Sequence, residues 1–103
     1  MAGRLGKAAL AANTDTIIYT VPADTVATAN INLCNRTAAA ITIRLSIGAA
    51  SPADADYIEY DTSIPAYGVL ERSGLVMSAA EVLVAMASAV GVSIRAYGFT
   101  EVA

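Results

Sequence analysis

The chain has 103 residues and a formal charge of −3; 56 % of its residues are hydrophobic and 15 % charged, against about 25 % charged in an ordinary soluble domain. That length gives one domain with a modest core, and the acidic pI of about 4.6 argues against a nucleic-acid binder, which needs excess Lys and Arg to displace counterions. With no histidine and a single cysteine, Cys34, an internal disulfide, a Cys/His zinc site and imidazole base catalysis are excluded, leaving a structural or binding module.

Residues 1–13 (MAGRLGKAALAAN) carry Arg4 and Lys7 beside a short alanine run. The run is too short for the roughly 7–15-residue core of a secretory signal, and no stretch approaches the about 20 apolar residues of a membrane span. The segment reads as a flexible or partner-docked N-terminal arm, ordered by a neighbouring subunit where it is ordered, ahead of a single domain over residues 14–103.

Residues 15–21 (DTIIYTV) are β-branched and aromatic and stop at Pro22. Residues 26–33 alternate, with Val26, Thr28, Asn30 and Asn32 on one face and Ala27, Ala29, Ile31 and Leu33 on the other. Residues 41–47 alternate more cleanly: Ile41, Ile43, Leu45 and Ile47 against Thr42, Arg44 and Ser46. Period two with β-branched residues predicts half-buried antiparallel strands. Between them, Asn35-Arg36-Thr37 is a polar turn of hairpin character; its match to the N-glycosylation pattern is read as fortuitous.

Residues 48–55 (GAASPADA) form a loop, residues 57–60 a short strand, and residues 64–68 a turn-rich link. Two short extended pieces, 69–72 and 75–77, flank Ser73-Gly74. Residues 81–87 (EVLVAMA) contain helix formers, but the run is short and bounded by a Ser/Ala turn and Gly91, so it is assigned as strand. In residues 90–99, Val90, Val92, Ile94 and Ala96 point inward, and Ser93, Arg95 and Tyr97 outward. Seven to eight short strands at roughly ten-residue spacing predict an all-β fold, an antiparallel β-sandwich or jelly-roll-like barrel. Its expected core is Ile17, Ile31, Leu33, Ile43, Leu45, Ile58, Leu70, Val82, Val84, Val92 and Ile94.

Asp54, Asp56, Glu59 and Asp61 form the sharpest local cluster. Alternate carboxylates can converge on a hard cation such as Ca²⁺, but the glycine turn and distal Glu of a calcium loop do not follow. The plainer reading is a solvated loop entering an edge strand whose charges discourage unwanted pairing. Cys34 reads as a small buried apolar residue, or as one half of an intermolecular disulfide. No serine has a base to activate it, because histidine is absent and the single lysine, Lys7, lies in the arm. No catalytic residue and no cofactor is therefore expected. Tyrosine suits interfaces, so Tyr57, Tyr60, Tyr67 and Tyr97 join Arg4, Leu5, Lys7, Asn30 and Asn32 as expected interface residues.

The run Tyr19-Thr20-Val21-Pro22-Ala23-Asp24-Thr25-Val26-Ala27-Thr28, followed by Asn30-Ile31-Asn32-Leu33-Cys34-Asn35-Arg36, resembles small virion structural proteins of tailed bacteriophages. Tyr57-Ile58-Glu59-Tyr60-Asp61 and Gly68-Val69-Leu70-Glu71-Arg72 are similar to the same pattern. The resemblance spans most of residues 14–99 and lies in rhythm, without a catalytic motif. It implies a β-sandwich subunit repeated on a particle as a decoration or cement, collar or tail accessory protein. Its partners would be itself, as a homo-oligomer such as a trimer, and other virion proteins; its place would be the virion, assembled in the host cytoplasm. The alternative is a receptor- or glycan-binding module of a fibre or baseplate, using Tyr57, Tyr60 and the Asp54–Asp61 loop.

Overall fold

The structure, a computed structural model, describes residues 2–103. Eight strands follow in order: β1 (Ala2–Ala9), β2 (Thr16–Thr20), β3 (Thr25–Asn35), β4 (Ile41–Gly48), β5 (Tyr57–Ile64), β6 (Val69–Met77), β7 (Val82–Ala87) and β8 (Val92–Val102), with one 3-10 turn at Asp54–Asp56. They form two four-stranded sheets, ordered β1-β8-β3-β6 and β2-β7-β4-β5. Each strand pairs antiparallel with the one equally far from the other end of the series: β1 with β8, β2 with β7, β3 with β6 and β4 with β5. That is one long hairpin wound over on itself, the jelly-roll arrangement of an antiparallel sandwich.

Alternation decides what lies between the sheets. In β3, Ala27, Ala29, Ile31 and Leu33 are buried, and in β4 Ile41, Ile43 and Leu45. They meet Leu83, Ala85 and Ala87 from β7 and Val92, Ile94 and Ala96 from β8 in one core. Alanine on the central strands lets the sheets approach, while Leu and Ile fill the remaining space. Burying this apolar surface is the main force holding the sandwich together, at roughly 25 cal/mol per Å².

Several expectations need correction. Residues 2–9 are not a free arm: they form edge strand β1 on β8, and Leu10, just beyond, is a buried core residue whose N–H donates to the Val92 carbonyl. Ile17 is 55 % exposed, because a bulge between Ile17 and Tyr19 turns Ile18 inward instead. Ile58 is 40 % exposed; β5 is an edge strand whose register against β4 shifts twice, so its alternation breaks. Leu70 is only partly buried at the core margin, and Val90 is exposed in the turn before β8. Val82 and Val84 are buried, but alternation puts them opposite Leu83, Ala85 and Ala87, which enter the core. β7 is covered on both sides, so its sequence does not alternate. The two extended pieces at 69–72 and 75–77 are one strand, β6, carrying a bulge.

Asn35 closes one end of the sandwich. It is fully buried, and its amide donates to the carbonyls of Ala39 (2.8 Å), Ile64 (3.1 Å) and Pro65 (3.1 Å). Its Oδ1 accepts from the Thr37 N–H and hydroxyl at 2.9 and 2.8 Å. One side chain thus satisfies carbonyls from two connections that would otherwise lose their hydration unpaired.

Along the β1–β2 seam the two sheets nearly touch. A Cβ added at Gly6 would collide with the Ile18 backbone carbonyl, so only glycine admits this approach. Gly6→Ala is expected to destabilise the fold by about 1–3 kcal/mol, read as a lower midpoint in urea; an unchanged midpoint would mean the seam is open in solution.

Candidate functional site

The outer faces of the two sheets differ in how their charges are met. On the β2-β7-β4-β5 sheet, the Arg44 guanidinium grips Asp61 through two hydrogen bonds of 2.6 and 3.1 Å. It also lies 4.0 Å from the centre of the Tyr60 ring, which meets Tyr57 edge-on at 5.0 Å. Cation, carboxylate and rings satisfy one another. Arg44 hydrogen-bonding holds the Asp61 carboxyl below its ordinary value, and Asp61 raises the guanidinium in return.

Glu59 sits at the sandwich margin, its side chain 12 % exposed, and pairs with Arg72 of β6. This ion pair ties the edge strands of opposite sheets together. Burial pushes the Glu59 carboxyl up, but hydrogen bonds from Arg72 and the Thr62 hydroxyl, with the Arg72 charge, outweigh it and hold it below its usual value. Asp56 accepts from the backbone N–H groups of Ala49 and Ala53 at 3.2 and 3.0 Å. The four clustered carboxylates therefore do not converge as a calcium site requires, and no metal-holding group of three or more acids or cysteines occurs among the described residues.

The outer face of the β1-β8-β3-β6 sheet is different. Register places Ala9, Ser93, Cys34 and Val69 in one row across the strands, and Lys7, Arg95, Asn32 and Glu71 in the next. A third row holds Arg4, Tyr97 and Asn30; a fourth holds Phe99, Thr28 and Val76. Lys7 thus stands directly opposite Arg95, an unfavourable like-charge pair, with Arg4 one row away. Arg44 and Arg72 are ion-paired, whereas Arg4, Lys7 and Arg95 have no carboxylate partner among the described residues. Glu71 lies two strands from Arg95, about 10 Å away. Arg36, at the Asn35 end of this face, donates to the Ser93 hydroxyl at 2.8 Å.

Two depressions flank Arg95. One, about 420 Å³, is lined by Lys7, Ala8, Ala9, Asn32, Cys34, Ser93, Ile94 and Arg95. The other, about 340 Å³, lies among Gly3, Arg4, Arg95, Tyr97 and Gly98. Both exist because small residues stand beside long ones. Tyr97, Phe99 and Val76 remain largely exposed below them.

This face gathers Arg4, Lys7, Asn32 and Tyr97 from the expected interface set. Asn30 shares it, but its Oδ1 accepts the Gly74 N–H at 3.1 Å and supports the β6 bulge. Leu5 packs against the core and leaves the set. Tyr57 and Tyr60 belong to the opposite sheet, and Tyr67, 71 % exposed, to the turn at residues 65–68. Cys34 is half-buried, with a free thiol, at the rim of the larger depression. Sequence alternation already placed Arg95 and Ser93 outward; their role was missed because residues 1–13 were not read as the strand beside them. The chain matches no protein-family model and no curated protein.

Two outcomes follow for the acidic residues. The folded-state values of Glu59 and Asp61 lie below their ordinary values of 4.5 and 3.8. Their stabilisation is therefore complete above those values and is lost as pH falls through the lowered ones. Arg72→Met should flatten the fall in melting temperature between about pH 5 and about pH 2; an unchanged slope would show that Glu59 is not held by Arg72. Millimolar Ca²⁺ should leave the wild-type melting temperature unchanged in a thermal-shift assay, because Glu59 and Asp61 are held by arginines and Asp56 by backbone N–H groups.

Proposed function

We propose that this protein is a structural subunit of a tailed-bacteriophage virion, present in many copies as a decoration or cement, collar or tail accessory protein. The observation that carries the reading is the outer face of the β1-β8-β3-β6 sheet. There, unpaired cations, exposed Tyr97, Phe99 and Val76, and two shallow depressions share one rigid surface. Such a surface suits contact with another protein, with aromatic residues and Arg supplying the anchoring energy. The jelly roll supports the reading by analogy, since viral capsid domains use this fold, as do proteins of other functions.

The protein works in this reading by adhesion. Each contact buries apolar surface worth roughly 25 cal/mol per Å² before the costs of association, and repetition over a particle multiplies a modest contact through avidity. The tyrosines of the opposite face are committed to Arg44 and to each other, which leaves them poor as a sugar-stacking platform.

Gold-labelled antibody against this chain, applied to particles of the encoding phage, should decorate head, neck or tail shaft in a regular pattern. Label confined to fibre tips would transfer the protein to receptor recognition, and its absence from purified particles would overturn the proposal.

A further inference from the structure

The three connections at one end of the sandwich are acidic and carry no cation. Residues 21–24 (VPAD), 49–56 (AASPADAD) and 78–81 (SAAE) contribute Asp24, Asp54, Asp56 and Glu81, with neither Lys nor Arg among them. They share one end because Thr20, Gly48 and Val82 lie in a single row across the sheet, from which all three depart. The Val21 N–H also donates to the Glu81 carbonyl and the Ala80 N–H to the Val21 carbonyl, at 2.9 and 3.0 Å. Asp56 and Glu81 accept from backbone N–H groups of their own connections, while the other residues here are mainly Ala, Ser and Pro, so no long side chain shields Asp24 and Asp54 from a flat partner.

The same molecule therefore presents a cationic face and an acidic end. We propose that two copies of this chain associate head to tail, the acidic end of one seated on the Arg4–Lys7–Arg95 surface of the next. The proposal rests on the assembly reading above and names the partner of that face. Like-charge repulsion between Lys7 and Arg95 is relieved when a carboxylate arrives between them, and the depressions beside Arg95 admit short acidic side chains. A two-fold contact through the same face is disfavoured, because it would set Arg4, Lys7 and Arg95 against their own copies. Joining a face to an end instead repeats without self-cancellation, giving a ring where the rotation closes and a chain where it does not.

Sedimentation velocity on the whole protein, at millimolar concentration and low salt, tests this. The wild type should form species larger than dimers that dissociate as salt screens the contact. Arg95→Glu and Asp54→Lys, each at an exposed position of the acidic end or the cationic face, should each weaken association by about tenfold or more. Two results identify the geometry. The double variant Arg95→Glu/Asp54→Lys should recover association, and a mixture of the two single variants should recover it too, since alternating copies meet through one native and one charge-reversed contact. A wild type that stays monomeric, association indifferent to both reversals, or retention on heparin without self-association would overturn the proposal. Circular dichroism of each variant confirms that the fold is intact. Regular virion labelling with a monomeric pure protein would sink this inference alone; head-to-tail association of a chain missing from particles would sink the virion assignment alone.

Discussion

The pairing of β3 with β8 fixes nearly everything else. All eleven residues of β3 are in register with β8, and β3 also carries β6 on its other side. Side chains alternate across a strand, so a slip of one residue would send Ala29, Ile31 and Leu33 to water and bring Asn30 and Asn32 into the core. The apolar alternation of one strand therefore selects a single register, and that register sets Arg95 beside Asn32, while the pairing of β1 with β8 sets Lys7 opposite it. The same burial that folds the chain thus also arranges its cationic face.

The two outer faces show opposite solutions to charge on a sheet. On one, Arg44, Asp61 and Tyr60 complete each other within the chain, and nothing is left for an outside partner to neutralise. On the other, the cations stand unanswered across β1 and β8, although acids outnumber cations nine to six over the whole chain. Acidic groups are available, but the winding of the jelly roll places many of them in connections at one end. The separation is a product of topology, which gathers alternate connections at the same end of the sandwich.

Strands whose two faces meet different surroundings were legible from the sequence. The alternation in residues 26–33 and 41–47 gave β3, β4 and their inward residues, because each has core on one side and water on the other. Reading failed where this difference disappears. β7 is covered on both faces, so Val82 and Val84 are buried as expected, yet they lie outside the cluster that Leu83, Ala85 and Ala87 enter. At β2 and β5, bulges shift the phase of alternation, and Ile17 and Ile58 came out on the wrong side. β1 was missed altogether: Gly3, Gly6 and its alanines have little strand preference, and its place depends on β8, far along the chain. The acidic cluster at residues 54–61 was visible, but its dispersal among Arg44, Arg72 and backbone N–H groups comes from partners on other strands.

The buried Asn35 amide bears on how this chain can be made. Asn35-Arg36-Thr37 satisfies the acceptor pattern for N-linked sugar, and transfer in a secretory compartment acts on the chain before it has folded. A glycan on that nitrogen could not fit where the amide must lie against Ala39, Ile64 and Pro65. Production through a eukaryotic export pathway would thus set modification against folding, and replacing Thr37 to remove the acceptor would delete the hydroxyl that Asn35 itself binds. A cytosolic host, where the chain folds unmodified, avoids the conflict.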